Sequence, residues 1–235
     1  MGLSFYLLLN LLSISFPLLA TFDKRIGYFR KVKYILPSIF LVGLVFILWD
    51  IEFTKQGIWG FNEQYLMGID IFHLPIEEWL FFLCIPYASI FIYESLRYFK
   101  GGLISSYSTF FISLILGGLL IILGLVFSHQ DYTFWTFLPL GLYILLLEFV
   151  LKVNWLAHFY VSYLWVLIPF FTVNGLLTGS FIEGEVVWYN NAENFGIRMG
   201  TIPIEDTFYG MLLLIAIVHI YESLKKMNEM KKPPF

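Results

Sequence analysis

Leu74-Pro75-Ile76-Glu77-Glu78-Trp79-Leu80-Phe81-Phe82 sets two adjacent carboxylates directly against an apolar run. Residues 202–210 repeat the arrangement as Ile202-Pro203-Ile204-Glu205-Asp206-Thr207-Phe208-Tyr209-Gly210. A proline at a first helical turn pre-sets φ and lacks the amide that would have no partner there. The carboxylates that follow sit where the helix dipole favours negative charge. Both stretches therefore read as helix starts. The duplication extends further: residues 59–96 align with 187–224 without a gap, with 12 of the 38 positions identical. Asn62 meets Asn190, Gly68-Ile69 meets Gly196-Ile197, and Tyr93-Glu94-Ser95-Leu96 meets Tyr221-Glu222-Ser223-Leu224. Chance matches between apolar helices supply scattered isoleucines, not blocks of four in one register.

Composition says what those helices cross. The chain has 235 residues, 59% hydrophobic and 13% charged, with a mean hydropathy of +0.80. A water-soluble domain needs more charge to cover its surface. The net charge of −3 excludes nucleic acid as an expected partner. The single cysteine, Cys84, allows no intrachain disulfide and reads as a small core residue. Apolar stretches approaching the roughly 20 residues that span a bilayer lie near 3–21, 34–51, 77–98, 103–127, 132–150, 156–178 and 205–224. With the N-terminus outside, 12 of the 14 Lys and Arg fall on the cytoplasmic side, including Lys100, Lys231 and Lys232. Only Lys55 and Arg198 fall outside, the partition that the positive-inside rule expects of seven spans.

The expected fold is therefore an all-α membrane protein of seven transmembrane helices. Residues 1–100 form a first three-helix repeat, 101–128 a linking helix, and 129–235 a second repeat with a cytoplasmic tail. Four spans separate the third helix from the seventh, so the repeats are parallel. Both acidic motifs then start at the outer side, and both Tyr-Glu-Ser-Leu blocks end at the inner side. About 25 Å of helix separates Glu77 from Glu94, so they do not share a site.

Helix-start chemistry alone accounts for one acidic motif. Two copies bordering hydrocarbon suggest more, because intramembrane ionisable groups are costly and usually functional. Glu77, Glu78, Glu205 and Asp206 are the candidate acid/base set: a protonated carboxyl beside an ionised one supplies both functions in one apolar site. Trp79, Phe81, Trp188, Tyr189, Phe208 and Tyr209 are the candidate pocket aromatics. Asn62, Asn174, Asn190, Arg198 and His73 are candidate orienting groups. His219 reads as a satisfied interhelical histidine, and Glu94 and Glu222 as contacts to headgroups or basic residues. No ligand spacing suggests a metal. No dinucleotide or phosphate-loop motif suggests a cofactor.

On these motifs, with Asn174-Gly175-Leu176-Leu177-Thr178-Gly179 and Val187-Trp188-Tyr189-Asn190 added, the chain resembles the membrane-integral lycopene cyclases of bacteria, archaea and fungi. The resemblance is to the form in which two small homologous subunits are fused, and it spans essentially the whole chain. It implies cofactor-free cyclisation of the ψ ends of lycopene to β-ionone rings, with both halves needed. The substrate then enters sideways from the bilayer of a bacterial cytoplasmic membrane. Membrane lipids and other carotenoid enzymes are the implied partners. Relatives of this kind also cyclise C50 carotenoids to ε or γ ends. A proton-coupled transporter is the alternative from another class, because parallel repeats and midmembrane acids occur there too.

Overall fold

The computed structural model describes residues 4–99 and 106–230. Lys100, Lys231, Lys232 and the expected boundary at 100/101 lie outside the described residues. Seven long helices appear among the described residues: α1 (Phe5–Ala20), α2 (Val32–Gln56), α3 (Ile76–Tyr98), α4 (Ser106–Val126), α5 (Asp131–Leu145), α6 (Leu156–Leu177) and α7 (Ile204–Met230). Six are long and apolar enough to cross a membrane, α5 by continuing through a π-helical turn to Val150, and the 16-residue α1 is shorter. Their lipid-side character shows in large apolar residues left on the outer surface, such as Leu19 on α1, Phe40 and Leu48 on α2, and Ile115 on α4. Apolar exposure on this scale is what a multi-pass membrane protein presents to lipid.

Two helices run past their expected ends. The apolar reading stops the second span at residue 51, whereas α2 continues to Gln56 and closes on Gly57 at φ +72°. Its last turns are amphipathic: Asp50 and Phe53 are buried while Glu52, Lys55 and Gln56 are exposed. Hydropathy averaged over a window cannot see a polar residue turned inward at the end of a span. Likewise α7 runs to Met230, six residues beyond its expected end.

The connections at 57–75 and 178–203 hold three short antiparallel ladders. Strand β1 (Trp59–Phe61) pairs with β4 (Val187–Tyr189), tying the two connections together. The hairpin β2 (Asp70–Ile71)/β3 (Leu74–Pro75) leads into α3, and β5 (Arg198–Met199)/β6 (Ile202–Pro203) leads into α7. The two hairpins are copies. Each closes with an amide bond from the first helical residue, Ile76 N to Ile69 O and Ile204 N to Ile197 O, both 2.9 Å.

The β1–β4 register reveals how the copies relate. Trp59 faces Tyr189, Gly60 faces Trp188 and Phe61 faces Val187. Shifted by 128, each pair maps onto another pair of the same ladder, and the Gly60–Trp188 pair maps onto itself. A pseudo-twofold axis therefore passes through that pair. At the opposite ends of α3 and α7 the exchange is again reciprocal: Tyr93 donates to Glu222 at 3.0 Å and Tyr221 donates to Glu94 at 2.9 Å. Helices α3 and α7 thus run in the same direction about one axis. Helix α4 lies outside this arrangement against α5, where Gly117 and Gly141 let the backbones touch. A Cβ at Gly141 would stand 2.7 Å from the Gly117 carbonyl oxygen. Small residues allow such close packing where lipid offers no hydrophobic drive.

Candidate active site

The first acid of each motif is a fastener. Glu77, with no exposed surface, takes a hydrogen bond on Oε1 from the Ser4 hydroxyl at 2.5 Å and another from the Met67 amide at 2.7 Å. Glu205, equally buried, takes the matching pair from Thr133 Oγ1 and the Phe195 amide, both at 2.6 Å. Each carboxylate thus holds its own connection and the first helix of its repeat against the start of α3 or α7. Asn10 adds a bond from Nδ2 to the Glu77 carbonyl at 2.8 Å. Neither Glu77 nor Glu205 lines the cavity that holds the second acids.

The second acid of each motif turns the other way. Glu78 and Asp206 both line a cavity of about 630 Å³ whose walls are mainly apolar. Asp206 is held by three donors: Tyr132 OH at 2.5 Å on Oδ1, then Tyr189 OH at 2.9 Å and Asn174 Nδ2 at 3.4 Å on Oδ2. Glu78 accepts one hydroxyl, that of Tyr6. Asp50 from α2, 1% exposed, lines the same cavity. Asp50 accepts from Trp59 Nε1 at 2.5 Å and Thr54 Oγ1 at 3.4 Å through Oδ1, while its Oδ2 has no donor among the described residues. Three carboxyl groups from α2, α3 and α7 therefore meet at one end of the cavity.

Aromatic rings close that end. The Tyr209 ring lies 5.1 Å from Phe46, 5.2 Å from Trp49 and 5.9 Å from Trp59, and Tyr132 stacks on Tyr189 at 5.9 Å. Tyr189 sits outside the spans. Withdrawal from water, and then the neighbouring Asp206 carboxylate, hold its hydroxyl well above the ordinary tyrosine range, so it stays protonated and donating. From the acids the cavity continues along α3 past Phe81, Ile85, Ala88 and Ile92 to Leu96. Eighteen residues of helix make that groove about 27 Å long at 1.5 Å per residue. Leu12 and Phe16 of α1 and Trp165 of α6 line it and are also exposed outside, so it opens sideways between α1 and α6.

Of the residues singled out from sequence, Glu78, Asp206, Phe81, Tyr189, Tyr209 and Asn174 come together around the cavity. The others lie elsewhere. Trp79 donates to the Ile71 carbonyl at 3.2 Å beside Phe72, and Phe208 packs edge-on to Phe137 at 5.1 Å. Trp188 covers Gly60 from the outside, 38% exposed. Asn62 spans from Gln64 N to the Glu185 carbonyl, and Asn190 caps the turn at Ala192. Arg198 bonds Thr201 O at 2.6 Å and Asn191 Oδ1 at 2.7 Å, with its guanidinium 5.8 Å from the Tyr189 ring centre. His73, at φ +69°, is exposed in the β2–β3 turn. His219 pairs with Tyr143 OH at 2.6 Å, the interhelical histidine expected of it.

Asp50, Tyr6 and Tyr132 are the site residues that the sequence reading passed over. Asp50 carried a signal, being an acid at the end of an apolar span. Tyr6 and Tyr132 carried none, since tyrosines near helix starts are ordinary interface residues.

At the far end of α3 and α7, Glu94 has no exposed surface and pairs with Lys31 at 2.6 Å and Arg97 at 3.5 Å. Arg97 also reaches Glu222 at 2.5 Å. The contacts to basic residues expected of both glutamates are thus made, and the cluster locks the two copies together.

The fold and site define a multi-pass helical membrane protein with buried carboxyl groups at one end of an apolar pocket. A sequence model of the lycopene cyclase family matches residues 3–96 and 129–224, once over each copy, and the chain belongs to that family. It is a carotenoid cyclase acting on a lipophilic substrate. Comparisons with curated proteins and with solved structures give no match.

Proposed function

We propose that the chain is a lycopene β-cyclase of the cytoplasmic membrane, with its N-terminus outside. Residues 1–100 and 129–235 are its two cyclase repeats, and 101–128 links them. The reading is carried by one observation: Glu78, Asp206 and Asp50 meet at the aromatic end of a groove that opens toward lipid.

A ψ end of lycopene slides between α1 and α6 until its terminal double bond meets the carboxyls. A carboxyl proton adds to C2 and leaves a tertiary cation at C1. The C5=C6 bond attacks C1, moving the charge to C5. A carboxylate then takes the proton from C6 and restores the double bond within the ring. One proton enters and one leaves, so no redox partner is consumed. The closed end keeps water from the cation. The faces of Tyr209, Trp59 and Tyr132 lie against it, each contributing about 1–2 kcal/mol once desolvated.

Glu78→Gln and Asp206→Asn in a lycopene-accumulating bacterial host test this reading. Each is expected to leave red lycopene where the unaltered chain makes β-carotene. Wild-type yield from either variant would sink the assigned role. Chromatography of the unaltered chain's product decides β against ε or γ rings.

A further inference from the structure

The pseudo-twofold axis puts Glu78 and Asp206 in equivalent places, yet their surroundings differ in kind. Asp50 on α2 and Asn174 on α6 each sit near the end of the second helix of their copy, and both line the cavity with Glu78 and Asp206. The first copy thus adds a carboxyl to the cavity wall, where the second adds an amide that donates to Asp206. Two carboxyl groups in hydrogen-bonding contact need a proton between them, because ionised carboxylates only accept. The buried Asp50 Oδ2 has no donor among the described residues, which leaves it available to share a proton with Glu78, the other acid of its own copy on the cavity wall. Asp206 is the reverse case. Its three donors all stabilise the charged form, and no second carboxyl shares its oxygens.

Resting on the cyclase reading above, we propose that Asp50 and Glu78 jointly hold the proton that starts cyclisation, and that Asp206 receives the proton that ends it. Asp50 is thereby a third acid/base residue, outside both acidic motifs. The donated proton forms the C2–H bond as the C1=C2 π bond opens. After the C1–C6 bond closes, the C6–H pair becomes the new C5=C6 bond and its proton passes to Asp206. Return of that proton across the cavity to the Asp50–Glu78 pair resets the site. The Tyr209 hydroxyl, buried in the same wall with no hydrogen-bond partner among the described residues, serves as the relay.

The two roles predict different failures. Losing the acid slows the first step without altering the ring that forms. Losing the base leaves the C5 cation to shed a proton from a neighbouring carbon, which changes the position of the double bond. The test uses membranes carrying the full chain, supplied with lycopene, with initial rate and ring type read by chromatography. Asp50→Asn is expected to lower the rate at least about 100-fold, the scale of a general acid, while the residual product stays β-ringed. Glu78→Gln is expected to do the same, so the prediction survives if Asp50→Asn folds poorly. Asp206→Asn is expected to yield a raised share of ε or γ rings among whatever product forms. Glu52→Gln, on the exposed face of the same helix turn, is the unchanged control. Full rate in Asp50→Asn would overturn the proposal, and so would altered ring type in Asp50→Asn alongside pure β rings in Asp206→Asn. An unaltered chain that leaves lycopene untouched would instead overturn the substrate reading, and this division of labour with it.

Discussion

At the scale of single residues, adjacent acids in one motif have opposite duties. Neighbours on a helix point about 100° apart, so Glu77 and Glu205 face their own connections while Glu78 and Asp206 face the cavity. Glu77→Gln keeps Oε1 for the Ser4 hydroxyl and the Met67 N–H but puts a buried NH2 in the place of Oε2, which has no partner among the described residues. We expect it to lower stability by about 1–3 kcal/mol, the cost of a mispaired buried polar group, and thermal denaturation in detergent measures this. Product ring type should not change. Tyr189→Phe removes one of three donors from Asp206. A hydrogen bond to a charged group contributes about 1.5–3 kcal/mol, so we expect cyclisation to fall about tenfold or more at unchanged protein yield. Gly60 is a position of close approach: an added Cβ would stand 2.3 Å from the Trp188 ring.

At the scale of elements, α3 serves two ends. Its start carries Glu78 into the cavity and its finish carries Glu94 into a buried cluster with Lys31, Arg97 and Tyr221. Taking one partner from a buried ion pair leaves an uncompensated charge and costs about 3–5 kcal/mol. Arg97 and Tyr221 still serve Glu94, so Lys31→Met is expected near the lower figure, read as a fall in thermal midpoint. Between the two ends α3 forms one wall of the groove. Ala88→Trp would fill that wall midway, ten residues from Glu78, and we expect lycopene to persist although the protein folds. Normal product from that variant would mean the polyene does not lie along α3.

At the scale of the whole molecule, the site belongs to neither copy. Glu78, Asp50 and Tyr6 come from one, while Asp206, Tyr132, Tyr189 and Asn174 come from the other. The copies are joined by the β1–β4 ladder and by the Glu94 and Glu222 cluster. Residues 1–105 and 106–235 made as separate chains in one lycopene-producing cell are expected to restore cyclic pigment. Either chain alone is expected to give none, since each lacks part of the carboxyl cluster. Pigment from a single half would refute the shared site.

Local patterns made much of this legible in advance. Helix number follows from apolar run length, because an uncovered backbone cannot cross lipid. The duplication and its acidic motifs follow from identity in one register, and the second acid of each motif does reach the cavity. The direction each acid faces was not legible, because a motif fixes spacing along the chain and not the neighbours a helix finds. Asp50 enters the site from 28 residues before Glu78, on a turn whose exposed face disguised its buried one. The sequence by itself determined the helices, the repeat and the carboxyl pairs, all set by short-range chemistry. Only the tertiary structure decided that one acid of each pair fastens while the other lines the cavity, and that a third lines it with them. That choice depends on which side chains the pseudo-twofold packing brings together across the bundle.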